Sequence, residues 1–499
     1  MSDSRPSASA PSATPAMAPL IPLDRQAGMP LYRQIYGGLR TAIVERLLRP
    51  GQRLPSTRAL AAELGVSRIP VLEAFEQLLA EGYCESRVGS GTFVAEALFG
   101  ERSPGGRGER ALARPVPGLP AYDMVPSEPW YRGAGAFRMN HPDVERFPMS
   151  TWARLVAKHA RNPPAHELYY GTALGLPGLR EAVAEYLRTS RAVRCEAEQI
   201  MITSGSMQAI EIAARVLIDP GSPVWVEEPG FGGANEPLLR AGARLVPIPV
   251  DREGLDVAAG IAIEPNARAV YLTPSHQYPL GATMTAARRL QALAWAQSRG
   301  AWIFEDDYDS EYRYGNQPIA ALQGLDRDAR VVYIGTFSKV LFPALRVGYL
   351  VIPADLVGRF AVVRAAMDIC PPALVQNALA EFLREGHFAR HIRKMRSLYA
   401  ERRSSLVAAL QKEFGDRLEL LGDQAGMHLV AAFQEDVDDK LLAETAAAQG
   451  LWAMPLSSCY LGPPARRGLV LGYGGTETRR IPAGVRQLKA VIESLPKAR

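Results

Sequence analysis

Cysteine is scarce in this chain. The four present, Cys84, Cys195, Cys370 and Cys459, lie far apart. Their spacing excludes a local CxxC metal site and a dense disulfide scaffold, so four reduced thiols and no metal are expected. Long apolar runs are missing as well. No stretch of roughly 18 apolar residues occurs, and no membrane span or membrane partner is indicated. The first 20 residues lack the basic start, apolar centre and cleavage site of a signal peptide. A cytoplasmic location is therefore expected. Lysine is nearly as rare as cysteine: there are seven, and none precedes Lys158. Chemistry that needs a lysine amine has few candidates, and DNA binding by the N-terminal part would have to rely on arginine. Charge of one sign is not in large excess either. A net +5 over 499 residues is only a weak pointer to a polyanionic partner.

What is present is ordinary globular material, 47% hydrophobic and 22% charged, which excludes a fibrous, coiled-coil or wholly disordered chain. The length corresponds to about three domains. Residues 1–18, rich in Ser, Ala and Pro, read as a disordered leader. Residues 19–98 form a patterned block. Residues 99–120 (FGERSPGGRGERALARPVPGLP) are rich in Gly, Pro and Arg and read as a flexible linker. From residue 121 to residue 499, strand-like runs such as QIMIT, PVWVEE, ARAVYLTP, AWIFEDD and RVVYIGTF alternate with helical periods. That alternation predicts an α/β fold with a mostly parallel sheet covered by helices.

The first block has the pattern of a winged helix-turn-helix. Pro30 can open a helix, and Leu31, Ile35, Leu39 and Ile43 fall on one face at i+4 steps. A second helix fits Thr57–Leu64, Gly65 supplies a turn, and Ser67 is a good N-cap for a third helix running to about Glu81. Val71, Leu72, Phe75, Leu78 and Leu79 make its apolar stripe. YCES, RVGSG and TFV then read as a hairpin whose Gly-rich tip suits close approach to a phosphate backbone. Nine Arg against eight acids between Ile21 and Leu98 leave a charge of only +1, so placement must supply the binding. The candidate DNA contacts are Arg53, Ser56, Arg58, Ser67, Arg68, Arg87, Gly89, Gly91 and Thr92. A small helical bundle without DNA binding gives the same pattern, and both readings stand at this level.

Lys339 sits in RVVYIGTFSKVLFPALRVGYLV, on a polar turn between two apolar runs. A lysine held there is desolvated, which lowers its pKa and favours Schiff-base chemistry; the plain alternative is a lysine snorkelling from a strand end. AWIFEDDYDSEYRY ends a strand in acids, and strand carboxyl ends are where parallel sheets bind ligands. Asp306 is the candidate to hold a pyridine nitrogen protonated, and Tyr308 to bond a phenolic oxygen. Asp307, Asp309 and Glu311 read as solvated loop charges. In ITSGSMQAI, the N–H groups of Gly205, Ser206 and Met207 at a helix start suit a phosphate. Arg346, seven residues after Lys339, adds charge there. Phe231 in EEPGFGG suits stacking on an aromatic ring, with core packing an equal reading.

Two resemblances gather these observations. PLYRQIYGGLRTAIVERLLRPGQRLPSTRALAAELGVSRIPVLEAFEQLLAEGYCESRVGSGTFV resembles a GntR-family DNA-binding head, with Ile69–Pro70 in place of the family's common polar pair. The rest resembles a fold-type I pyridoxal-phosphate (PLP) aminotransferase domain, through YYGTALGLPGLR, ITSGSMQAI, EEPGFGG, TPSHQYPLG, EDDYDSEYRY and GTFSKVLFPALRVGY. The second resemblance implies a Schiff base between PLP and Lys339, Asp306 at the pyridine nitrogen and Tyr308 near the phenolic oxygen. It implies phosphate contacts from Ser206, Met207, Thr336, Ser338 and Arg346, and from Tyr170 of a partner subunit in a homodimer. A GntR head joined to such a domain resembles the MocR/GabR-like transcriptional regulators. The expectation is a regulator that senses PLP, an amino acid or an amine.

Two departures weaken the rival reading of an active aminotransferase. Val470 in LVLGYG stands where those enzymes carry the arginine that clamps the substrate carboxylate, and Arg466 and Arg467 just upstream read as surface residues. Gln277-Tyr278-Pro279-Leu280-Gly281 replaces the common QNPTG, losing an asparagine that contacts the cofactor. Without the clamp a substrate is weakly held and poorly oriented.

Overall fold

The computed structural model describes residues 17–96, 135–314 and 319–495. The chain divides into two compact units, residues 1–113 and 114–499. The expected linker 99–120, the point at residue 121 where the large domain is expected to begin, and nearly all of the leader 1–18 lie outside the described residues.

In the first unit α1 (Leu31–Val44), α2 (Thr57–Leu64) and α3 (Arg68–Ala80) are followed by a hairpin of β1 (Cys84–Arg87) and β2 (Gly91–Val94). The i+4 spacing is what buries Ile35, Leu39 and Ile43 against Val71, Phe75 and Leu78 of α3. Pro30 is the N-cap of α1 and not its first residue. Ser56 caps α2, its hydroxyl accepting from the Ala59 N–H at 3.2 Å. Gly65 ends α2 at φ 64°, a left-handed conformation that glycine adopts freely. Ser67 occupies the N-cap position of α3, but its hydroxyl makes no capping bond; helix α3 starts without that stabilisation. Among these residues every Lys/Arg cation is an arginine.

The second unit is built on an eight-stranded sheet. In chain order its strands are β3 (Ile200–Thr203), β4 (Pro223–Glu228), β5 (Arg244–Asp251), β6 (Gly254–Leu255), β7 (Ala269–Leu272), β8 (Trp302–Asp307), β9 (Val331–Thr336) and β10 (Gly348–Val351). Their order in space is β3-β10-β9-β8-β7-β4-β5-β6. From β9 through β8, β7 and β4 to β5 the pairing is parallel, and β10 runs against both its neighbours. β3, β7, β9 and β10 are buried at every residue. Their unbroken apolar runs fit a sheet covered on both faces. A second, antiparallel sheet follows, with β11 (Leu418–Leu421), β12 (His428–Phe433), β13 (Met454–Pro455) and β14 (Gly468–Gly472) in the order β11-β12-β14-β13. Among the described residues no helix is long and apolar enough to cross a membrane. The parallel order brings the carboxyl ends of β7, β8 and β9 together, and the candidate residues stand there.

Candidate functional site

Asp306, near the end of β8, and Lys339, on the turn after β9, line one cavity with Asn140, Ser206, Tyr271 and Tyr308. Burial pushes the Asp306 carboxyl up to about 7, against the lowering hydrogen bond from Tyr271. The Tyr271 hydroxyl donates to Asp306 Oδ2 at 2.6 Å, while Oδ1 is buried with no protein partner. Burial also pulls the Lys339 amine down to about 8, even with the carboxylates of Asp309 and Asp306 raising it. Lys339 as a whole is half-buried.

Tyr308 lines the same cavity, and its hydroxyl lies 3.1 Å from His276 Nδ1. His276 Nδ1 is in turn 2.9 Å from Asp309 Oδ1. His428 stands beside this pair, its Nε2 3.1 Å from the Pro279 carbonyl, and burial pushes its pKa down to about 4.

The reading of Asp307, Asp309 and Glu311 as solvated charges is corrected by the structure. Asp307 is buried against the Arg191 guanidinium at 2.7 Å, with Tyr333 donating to the same oxygen. Asp309 is 1% exposed. Glu311 accepts from the Tyr186 hydroxyl, and burial raises its pKa to about 7. An unpaired buried charge is costly, and each acid has met a partner from a distant segment.

The anion end of the cavity is built from backbone and hydroxyls. Gly205, at φ 101°, turns the chain into the helix Ser206–Leu217, whose first N–H groups, those of Ser206 and Met207, are unpaired by the helix itself. A Cβ on Gly205 would lie 2.6 Å from the Arg346 guanidinium, so glycine lets that charge close over the turn. Arg346 Nη2 donates to the Ser204 carbonyl at 2.6 Å. Ser338 Oγ is buried without a partner, and its N–H bonds Thr336 Oγ1 at 3.2 Å. Phe231 both lines the cavity and meets Tyr278 edge-on at 5.3 Å, so its two readings coexist. Tyr170 is not brought to this cavity within its own chain; it is 81% exposed. Two orphaned polar atoms, Asp306 Oδ1 and Ser338 Oγ, together with a helix N-terminus and a lysine of lowered pKa, make a donor set whose chemistry fits PLP.

Val470 is fully buried in β14, opposite Val430 and Met454, and carries no polar group toward a ligand. Arg466 pairs with Glu419 and Arg467 with Asp436 on the surface, as expected of loop residues. Tyr271, His276, Asp309, Asn140 and Arg191 were not singled out from the sequence as site residues. A hydroxyl inside the apolar run YLTP was the one available signal for Tyr271.

On the head, Arg53, Ser56, Arg58, Ser67, Arg68, Arg87, Gly89 and Gly91 are all exposed and Thr92 is half-buried. Arg68 Nε donates to Thr57 Oγ1 at 3.1 Å, tying α3 to α2. Arg53 lies against Gly91 at the wing base; a Cβ there would be 3.2 Å from Arg53 Nε. Arg87 is drawn onto its own hairpin, pairing with Glu85 and Glu96 and lying 4.7 Å from the Phe93 ring.

Comparisons with known proteins agree with this division. Residues 31–94 match the model of the bacterial regulatory proteins of the gntR family, and residues 140–470 match aminotransferase class I and II. The chain is 42% identical over 482 residues to a probable rhizopine catabolism regulatory protein MocR of Rhizobium meliloti, covering 95% of this chain and 96% of that protein. It is 32% identical to the HTH-type pyridoxine biosynthesis transcriptional regulator PdxR of Corynebacterium glutamicum, over 88% of this chain and 91% of that one. Among solved structures, the α-aminoadipate aminotransferase LysN of Thermus thermophilus, complexed with N-(5'-phosphopyridoxyl)-L-leucine, superposes with a TM-score of 0.67 at 28% identity. That match covers 73% of this chain and 93% of LysN.

Proposed function

This chain belongs to the MocR-like transcriptional regulators, which join a GntR-type DNA-binding head to a class I and II aminotransferase domain, and from that premise we propose how it is controlled. The large domain holds PLP at Lys339, and the state of that site sets how the head engages operator DNA. The observation that carries this is that half-buried Lys339 and buried Asp306 line one cavity, with Asp306 Oδ1 left for a ring nitrogen. When bound, PLP supplies an aldehyde for amines and an electron-withdrawing ring. Around it Lys339 serves as the amine, Asp306 holds a proton at the ring nitrogen, and Tyr308 steadies the phenolic oxygen. Ser206, Met207, Thr336, Ser338 and Arg346 hold the phosphate.

The effector is PLP itself, or an amino acid or amine that meets it there. The name of the Corynebacterium relative, a pyridoxine biosynthesis regulator, supports PLP as the signal. Control by a ligand requires unequal affinity for two conformations, and Lys339, which feels the carboxylates of Asp309 and Asp306, is the residue whose charge an amine ligand would alter. A homodimer is part of this reading. Leu168, Tyr169 and Tyr170 are 71%, 79% and 81% exposed, three successive large side chains that a partner would cover while Tyr170 reaches the partner's phosphate site. A cytoplasmic location, where operator DNA would be met, belongs to the same reading. The same Lys339–Asp306 pair would serve an aminotransferase, but with Val470 in place of a carboxylate clamp turnover is weak.

The test is footprinting of the purified protein on DNA upstream of its own gene and its neighbours, with and without PLP, at stated salt. A discrete protected site that changes with PLP is expected. No protection in either state would overturn the regulator and favour the enzyme.

A further inference from the structure

The reading helix of the head presents an apolar side chain where polar groups are usual. Ile69, the second residue of α3, is 65% exposed and takes no part in the apolar core of the head. Pro70 follows it and has no N–H to offer. Arg68 precedes it, exposed and tied to Thr57. Further along the same face, at i+4 and i+7, stand Glu73 and Glu76, both exposed acids that phosphates repel. The charge pattern thus favours entry of α3 by its first turn alone, with Arg58 and Arg68 at the flanks. In a helix-turn-helix, those first residues of the second helix meet base edges in the major groove. Within that groove one base edge is apolar, the C5-methyl of thymine.

We propose that Ile69 reads the 5-methyl group of a thymine and is a specificity-determining residue of the head. The inference rests on the head being a DNA reader, and it goes beyond that by naming the contact. A folded head gains little from an isoleucine left in water, whereas burying it against a methyl group on DNA removes apolar surface from both partners. Pro70 strengthens the choice. It takes away the N–H that a first turn would otherwise direct to a phosphate or base, so this step of the helix contributes shape and apolar area only.

The experiment uses the full chain and a duplex pool with a random central segment. The enriched site is rebuilt with each thymine in turn replaced by uracil, which differs only in the missing methyl. At one or more thymines the substitution is expected to weaken binding about fourfold. Ile69→Ala is expected to bind the thymine and uracil forms alike at that position. Arg68→Ala is expected to weaken both forms and keep their ratio. The proposal is overturned if no thymine shows a methyl dependence, or if the dependence survives in Ile69→Ala with an unchanged circular-dichroism spectrum. Failure to enrich any sequence is a separate result, and it would overturn the DNA-reading head itself.

Discussion

The Tyr271 hydroxyl spends its proton on one oxygen of Asp306, at 2.6 Å, and leaves the other oxygen buried and unpartnered. The bond fixes the carboxylate plane, so that the unpartnered Oδ1 is held ready for a cationic donor. Asp306→Asn loses a charge-assisted hydrogen bond of about 1.5–3 kcal/mol, and PLP affinity is expected to fall roughly tenfold to a hundredfold. Tyr271→Phe, which only frees the carboxylate, is expected to cost less. Equilibrium dialysis of PLP checks both; unchanged binding by Asp306→Asn would show that Oδ1 faces no ring nitrogen.

Capture of PLP by the cofactor-free chain depends on a neutral Lys339. A group whose pKa is lowered loses its proton earlier, so the nucleophilic form grows as pH rises through about 8 and not through the usual 10.5. The rate of capture is expected to rise across that window and then level off. Stopped-flow absorbance on either side of 8 measures it. Lys339→Ala is expected to keep its fold, yield no borohydride-fixed adduct by mass spectrometry, and lose its response to PLP. A normal response in that variant would sink the mechanism.

Removing one partner of the Arg191–Asp307 bridge leaves a charge stranded in the core. Arg191 also donates to Ser275 Oγ at 2.8 Å, so its loss unpairs more than one group. Arg191→Met is expected to destabilise the large unit by about 3–5 kcal/mol in denaturant unfolding. A change below about 1 kcal/mol would mean that water reaches Asp307.

His276 is held by Asp309 and in turn positions Tyr308. His276→Gln and Asp309→Asn are each expected to weaken PLP about fivefold, the worth of about one hydrogen bond. The visible band of the bound cofactor is also expected to change its pH midpoint. A merely structural role would leave that midpoint where it is.

Arg68→Ala should weaken DNA binding on every sequence alike and reduce the salt slope by about one ion, as for a phosphate contact. An unchanged slope with altered sequence preference would instead make Arg68 a base reader.

Much of the molecule is legible in local pattern. The i+4 spacing from Leu31 to Ile43 and the stripe from Val71 to Leu78 give the head. Lys339 stands out because lysine is rare and because apolar runs flank it. Less legible is whatever depends on a distant partner. Asp307 and Asp309 look like solvent-facing acids beside Tyr308, since nothing nearby neutralises them. Arg191 reaches Asp307 from a helix 116 residues earlier, and His276 meets Asp309 across 33 residues. Tyr271 hides because one hydroxyl in a buried strand reads as core. Ser67 has the right residue type for a cap, yet its hydroxyl makes no such bond.

The arginine-only head has a chemical consequence. An aldehyde condenses with an unprotonated amine, whereas a guanidinium stays protonated throughout the cellular range. Lysines on the surface that meets DNA would be modified by the same compound the other unit binds. Each adduct would remove a cation and add a phosphate, and operator affinity would drift for reasons unrelated to Lys339. With arginines alone, the side chains of the reader are inert toward that aldehyde.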